Sequence, residues 1–133
     1  KFVYLTFDEG YEYGYTESIL DTLKEKGVHA VFFVTEPYAK AEPALVQRMI
    51  DEGHVVGNHS VTHPSAGIPS LTVEQQQEEV MGNHQYIKDT FPCIEDCDMC
   101  GLCTVFKGKD PERAHADYIS GKRSYLEVSA DYR

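Results

Sequence analysis

Two carboxylates and two imidazoles carry the chemistry this sequence offers. Asp8 and Glu9 close an apolar run in Thr6-Phe7-Asp8-Glu9-Gly10, and further on His59 and His63 bracket His59-Ser60-Val61-Thr62-His63. An i, i+4 histidine pair puts both rings on one side of a helical turn, close enough to share a divalent metal at ~2.0–2.1 Å per nitrogen. One acidic side chain completes a three-ligand site with a position open for water, and the second stands beside it as a base.

Such a site needs rigid elements to aim it. Phe2–Phe7 reads as a buried strand that delivers Asp8 and Glu9 to its carboxyl end, where α/β sheets keep their polar chemistry, and Gly10 lets the chain turn. Thr16 is the expected N-cap of a helix with Ile19, Leu20 and Leu23 on one face and Gly27 just past its end. Val28–Val34 is the second strand, apolar enough for cover on both faces. Pro43 suits the first position of a second helix, with Ala44, Leu45, Met49 and Ile50 inward and Gly53 at its end. Val55-Val56 is a short third strand that runs into Gly57-Asn58-His59.

Thr72 with Gln75 forms a capping-box pattern opening a third helix to about Asp89; its stripe of Val73, Val80 and Ile87 is thin, and Gly82-Asn83 weakens the middle. After Phe91 the character changes, so residues 1–91 and 92–133 read as separate regions, the second irregular and cysteine-bearing. Asp110-Pro111-Glu112 is the expected start of a short helix through about Ile119.

The chain has 133 residues, 41% of them hydrophobic, and a formal net charge of −10, which together describe a globular protein of at most one domain. That charge argues against nucleic acid, whose phosphates must be neutralised by clustered Lys and Arg, and a neutral or cationic substrate fits better. No segment approaches the ~20 apolar residues of a membrane span. No charged n-region, apolar h-region or cleavage site precedes Phe2, so localisation is not legible from that end. Oligomeric state is not legible either.

Three stretches together resemble a known family. Leu5-Thr6-Phe7-Asp8-Glu9-Gly10-Tyr11-Glu12, Phe32-Phe33-Val34-Thr35 and Gly53-His54-Val55-Val56-Gly57-Asn58-His59-Ser60-Val61-Thr62-His63-Pro64 are similar to the polysaccharide deacetylases of the NodB-homology type. The likeness covers about residues 2–90 and is closest to the branch acting on muramic acid in peptidoglycan, on the route to the δ-lactam of spore cortex. It implies a partial or distorted (β/α) barrel and a metal-dependent de-N-acetylase of the cell wall or extracellular space, with a glycan substrate. By resemblance Asp8 is the general base, and Glu9, His59 and His63 hold the metal. Glu9 is one methylene longer than the family's usual Asp, a trait of the muramic-acid branch. Zn²⁺ is the simplest ion for two imidazoles, with Co²⁺ or another divalent ion as substitutes; it would acidify a bound water and polarise the acetamide carbonyl, with the backbone near Tyr11 helping to hold the oxyanion.

An amine leaves badly unless protonated, so an acid is also required. The family supplies it from an Arg-containing third motif, an Asp-Trp fourth and a Leu-x-His fifth, and this chain has no Trp, no Leu-x-His and no Arg-x-Pro. The alternative to an enzyme is therefore a non-catalytic or truncated metal- or glycan-binding remnant. His84 and His115 are the remaining candidates for the acid, each also readable as a surface residue; His29 and His54 read as structural. Tyr11, Tyr13 and Tyr15 line a sugar groove or pack. Cys93, Cys97, Cys100 and Cys103 offer four thiolates for a second Zn²⁺ or an iron–sulfur cluster, with disulfides or no selected role as alternatives.

Overall fold

Three short parallel strands organise the first part of the chain. β1 (Thr6–Glu9), β2 (Val31–Val34) and β3 (Val55–Asn58) pair in the order β1-β2-β3. The computed structural model describes residues 3–91, 116–120, 122–123 and 125–131. The chain divides into two units, Lys1–Ile94 and Glu95–Arg133.

The strands are shorter than their apolar runs, for a reason visible in the backbone. The amide of Val28 closes the preceding helix on Leu23 O at 2.9 Å, and the amide of Ala30 donates to His54 Nδ1 at 3.2 Å. Both donors are thus committed before Val31, whose amide is the first to reach β1's chain, at Leu5 O, 3.0 Å. Residues 3–5 are exposed and outside the sheet, which corrects the expected start of β1 at Phe2. The expected two-sided cover of β2 also fails in part: Phe32 and Val34 are fully buried, whereas Val31 and Phe33 are half-buried.

Helices cover the Phe32–Val34 face. α1 (Thr16–Lys26) contributes Leu20 and Leu23, and it ends on Gly27, whose φ of 62° is the left-handed conformation a residue without Cβ adopts freely. Its N-cap is Tyr15, not Thr16. Thr16 is buried, and its hydroxyl and amide both go to the carboxylate of Glu12, which satisfies the helix start in place of a cap side chain. α2 (Glu36–Ala41) was not apparent in the sequence; Thr35 caps it by accepting from the Tyr38 amide at 3.4 Å. α3 (Pro43–Asp51) has Pro43 in its first turn and buries Leu45, Val46 and Met49, while Ala44 is exposed. These residues, with Tyr38, Ala39 and Phe91, form one core cluster against which Phe7, Ile19 and Ile50 pack; Phe7 stacks on Phe32 at 4.9 Å between ring centroids.

A 3₁₀ turn (Ile68–Ser70) leads to α4 (Val73–Thr90). The capping box forms as expected: Thr72 N donates to Gln75 Oε1 at 3.1 Å and Gln75 N to Thr72 Oγ1 at 3.3 Å. The expected apolar stripe does not form. Val73 and Val80 are exposed, only Ile87 packs on the core, and the buried positions of α4 are Glu79 and Asn83.

In the second unit, α5 (Ala116–Ile119) and α6 (Tyr125–Ala130) are described, and Arg123 pairs with the Asp131 carboxylate at 2.8 and 3.2 Å. The helix start expected at Asp110 and all four cysteines, Cys93, Cys97, Cys100 and Cys103, fall outside the described residues. No helix among the described residues is long and apolar enough to cross a membrane.

Candidate metal centre

Glu9 and Asn58 end their strands level with each other, because both are register partners of Val34. Asp8 is the partner of Phe33, which is in turn the partner of Gly57. Side chains alternate across a strand, so Asp8, Phe33 and Gly57 share one face of the sheet and Glu9, Val34 and Asn58 the other. Glu9 is half-buried; burial pushes its carboxyl above the ordinary range, and the neighbouring Glu12 and Asp8 charges push the same way. Glu12 is held below that range, first by the Thr16 hydroxyl. Tyr38 OH donates to Glu12 at 3.2 Å, so this polar cluster ties the loop after β1 to α1 and α2.

The imidazole pair forms, though not on a helical turn as the spacing suggests. Residues 59–64 are an irregular loop in which Ser60 (φ 68°) and His63 (φ 48°) both take the left-handed conformation. Each such non-glycine residue costs of the order of 1–2 kcal/mol, which the surroundings must offset. The ring centroids of His59 and His63 lie 4.7 Å apart at 35°. Two rings bound to one ion at ~2.1 Å would hold their centroids roughly 5 Å apart, so the pair fits a shared cation. The His59 ring also lies 6.4 Å from Phe33, on the Asp8 side of the sheet. Both imidazoles open into a cavity of about 460 Å³ that Ser60, Pro64, Ile68 and Val80 help to line.

What holds this loop comes from α4, from its own side chains, and from main-chain bonds of His59 N to Val34 O at 3.0 Å and of Glu36 N to Ser60 O at 3.3 Å. Ser60 N donates to Asn58 Oδ1 at 2.8 Å and His63 N to Ser60 Oγ at 3.0 Å. Thr62 donates twice to Glu79, from its amide at 2.8 Å and its hydroxyl at 2.6 Å, and Val61 N donates to the Glu79 carbonyl at 2.9 Å. Burial of Glu79 is the largest influence and opposes its ionisation, but the bonds from Thr62, Val61 and Ser60 together keep the carboxyl below its ordinary range. Asn83 donates to Val34 O at 2.7 Å and to Asn58 Oδ1 at 2.9 Å, and Asn58 donates to Val80 O at 2.6 Å. Gly82 allows the approach: a Cβ there would lie 2.9 Å from Val61 Cγ2. The sequence reading passed over Glu79 and Asn83. The available signal was that Gly82-Asn83 interrupts a helix whose stripe was already thin, a pattern that marks a helix packing against backbone instead of core.

Among the described residues no three His, Cys, Asp or Glu side chains form a group able to hold a metal. The structure brings His59 and His63 together, puts Asp8 on the same side of the sheet, and leaves Glu9 on the other face at the same end. The pair supplies the right nitrogen donors, and the carboxylates supply oxygen from level strand ends, so the donor set matches a divalent ion in kind. Tyr11, Tyr13 and Tyr15 are 71%, 75% and 69% exposed, outside the core cluster of the described residues. His54 is buried and structural as expected, whereas His29 is exposed. His84 is half-buried on α4, and His115 lies outside the described residues.

The family model for polysaccharide deacetylase matches residues 1–93. The chain belongs to the polysaccharide deacetylase family. Among its family relatives, an uncharacterized 30.6 kDa protein of Geobacillus stearothermophilus is 64% identical over 89 residues, 67% of this chain and 33% of that one. The peptidoglycan-N-acetylmuramic acid deacetylase PdaA of Bacillus subtilis is 50% identical over 80 residues, 60% of this chain and 30% of the relative. A family 4 carbohydrate esterase from Bacillus anthracis superposes with a TM-score of 0.62 at 50% identity, over 65% of this chain and 41% of that structure. The chain thus spans about a third of the length of these sequence relatives.

Proposed function

We propose that this chain carries the metal-binding half of a deacetylase that hydrolyses the acetamide C–N bond of an N-acetylated glycan, with muramic acid residues of peptidoglycan as the preferred substrate. The single observation that supports this best is the His59–His63 pair, 4.7 Å between rings, at the carboxyl end of the sheet, to which β1 also delivers Asp8 and Glu9. On this reading the three parallel strands belong to a partial (β/α) barrel, and the protein acts outside the cell or at the cell wall.

His59 and His63 would hold a divalent ion, with Glu9 as the oxygen donor. Bound there, Zn²⁺ or Co²⁺ would supply Lewis-acid polarisation of the acetamide and a readily ionised water. Asp8, exposed beside the pair's side of the sheet, takes the proton from the attacking water. Tyr11 and Tyr13, in edge contact at 5.1 Å and turned to solvent, offer aromatic faces to a pyranose ring. The net charge of −10 disfavours a nucleic acid as the polymer bound.

A second reading is a non-catalytic metal- or glycan-binding member of the family, supported by the fact that among the described residues no third His, Cys, Asp or Glu closes on the histidine pair. Acetate release from N-acetylated peptidoglycan with added Zn²⁺ or Co²⁺ separates the two. The catalytic reading predicts metal-dependent acetate that falls about 10²–10⁴-fold in Asp8→Asn and in His59→Ala. Acetate no higher than in these variants would leave only the binding reading.

A further inference from the structure

We propose that Glu79, on the buried side of α4, is a positioning residue that sets the geometry of the His59–His63 pair; this rests on reading that pair as metal ligands. Of the three residues between the histidines, Ser60 bonds to Asn58 and to the His63 amide, and the other two, Val61 and Thr62, both end on Glu79. Val61 N reaches its main-chain carbonyl, and Thr62 reaches both carboxylate oxygens through its amide and hydroxyl. His63 follows Thr62 directly in a left-handed conformation, and its amide goes back to Ser60 Oγ, so the place of its ring is inherited from Thr62 and Ser60.

Glu79 is 9% exposed, on a helix whose valines at 73 and 80 face solvent. An apolar residue would be the ordinary occupant of a buried helical position. A carboxylate there has lost much of its water and regains hydrogen bonds by holding the loop at Ser60, Val61 and Thr62. Gly82 lets Val61 come within reach of the same helix, and Asn83 ties it to the ends of β2 and β3. The helix thus grips the loop from the strand end to Thr62 and offers the two rings a fixed separation before any ion arrives. Groups that orient metal ligands from outside the coordination sphere change metal affinity by about 10–100-fold when removed.

The test compares wild type with Glu79→Ala, Glu79→Gln and Thr62→Val. Amide hydrogen exchange of the metal-free protein is read at Val61 and Thr62 against Val31 and Val55, and Co²⁺ affinity is measured by calorimetry. The proposal expects faster exchange at Val61 and Thr62 with the sheet amides unchanged, and about 10–100-fold weaker Co²⁺ binding in Glu79→Ala. Glu79→Gln, which keeps one acceptor oxygen, and Thr62→Val, which loses only the hydroxyl link, should fall between. Should Glu79→Ala not fold, Thr62→Val decides alone. A folded Glu79→Ala with wild-type exchange at Val61 and Thr62, or one losing protection evenly with Co²⁺ affinity intact, would overturn the proposal. A wild type that binds no Co²⁺ would defeat the ligand reading, and the exchange data would still decide whether Glu79 holds the loop.

Discussion

Glu9 and Asn58 sit opposite the same residue, Val34, from the two sides of the middle strand. The last residue of β1 and the residue before His59 therefore end level, about two strand spacings of ~4.8 Å apart. A carboxylate and an imidazole that are fifty residues apart in the chain reach the same, carboxyl end of the sheet because the two crossovers keep all three strands in register.

The amino end of the sheet carries a pH dependence. Ala30 N donates to His54 Nδ1, which requires that nitrogen to be unprotonated. Burial, then the adjacent His29, pushes the His54 pKa below 6.5, with Glu52 opposing and Arg48 adding. As pH falls through 6.5 the unfolded chain takes up this proton before the folded one, so stability is lost on acidification below 6.5 and restored above it. The melting temperature of wild type should drop between about pH 7 and pH 5 more steeply than that of His54→Asn, whose side-chain oxygen keeps an acceptor for Ala30. Parallel curves would contradict this.

Gly82→Ala sets helix propensity against packing. Alanine in a helix interior gains about 1 kcal/mol over glycine. Its Cβ would lie 2.9 Å from Val61 Cγ2, and a β-branched side chain has little room to turn. Chemical denaturation should show a net loss of about 1–2 kcal/mol, recovered by adding Val61→Ala. A gain of about 1 kcal/mol in the single variant would mean that the loop yields freely.

Much of this was legible in the sequence, and the exceptions share a cause. Gly27, Pro43 and the Thr72–Gln75 box are local signals, decided within one turn of chain, and each acts as expected. The limits of β2 were not, because the amides of Val28 and Ala30 are claimed by Leu23 and by His54, contacts that spacing does not reveal. The histidine spacing suggested a helical turn, yet the rings meet through a loop held by residues on α4, far along the chain. Glu79 was passed over for the same reason: an isolated Glu in a polar helix carries no mark of burial until its partners are known.

Gly57→Ala probes the side of the sheet that Asp8 shares. A Cβ at Gly57 would meet Phe33 Cδ1 at 2.5 Å and Cε1 at 2.7 Å, so the ring must move. Denaturation should give a loss of about 1–3 kcal/mol, relieved in part by Phe33→Leu. Because His59 lies beside that ring, the Gly57→Ala variant should also bind Co²⁺ more weakly than wild type. An unchanged affinity with lowered stability would separate Phe33 from the site.

On the proposed reading one cation joins His59 and His63 to the carboxylate of Glu9. Co²⁺ titration followed by visible absorption tests it most directly, in wild type, His59→Ala, His63→Ala, Glu9→Gln and Asp8→Asn. One equivalent of Co²⁺ per chain is expected in wild type, with binding abolished by either histidine change, weakened by Glu9→Gln, and retained in Asp8→Asn. Retention in Glu9→Gln with loss in Asp8→Asn, or binding indifferent to His59 and His63, would contradict it.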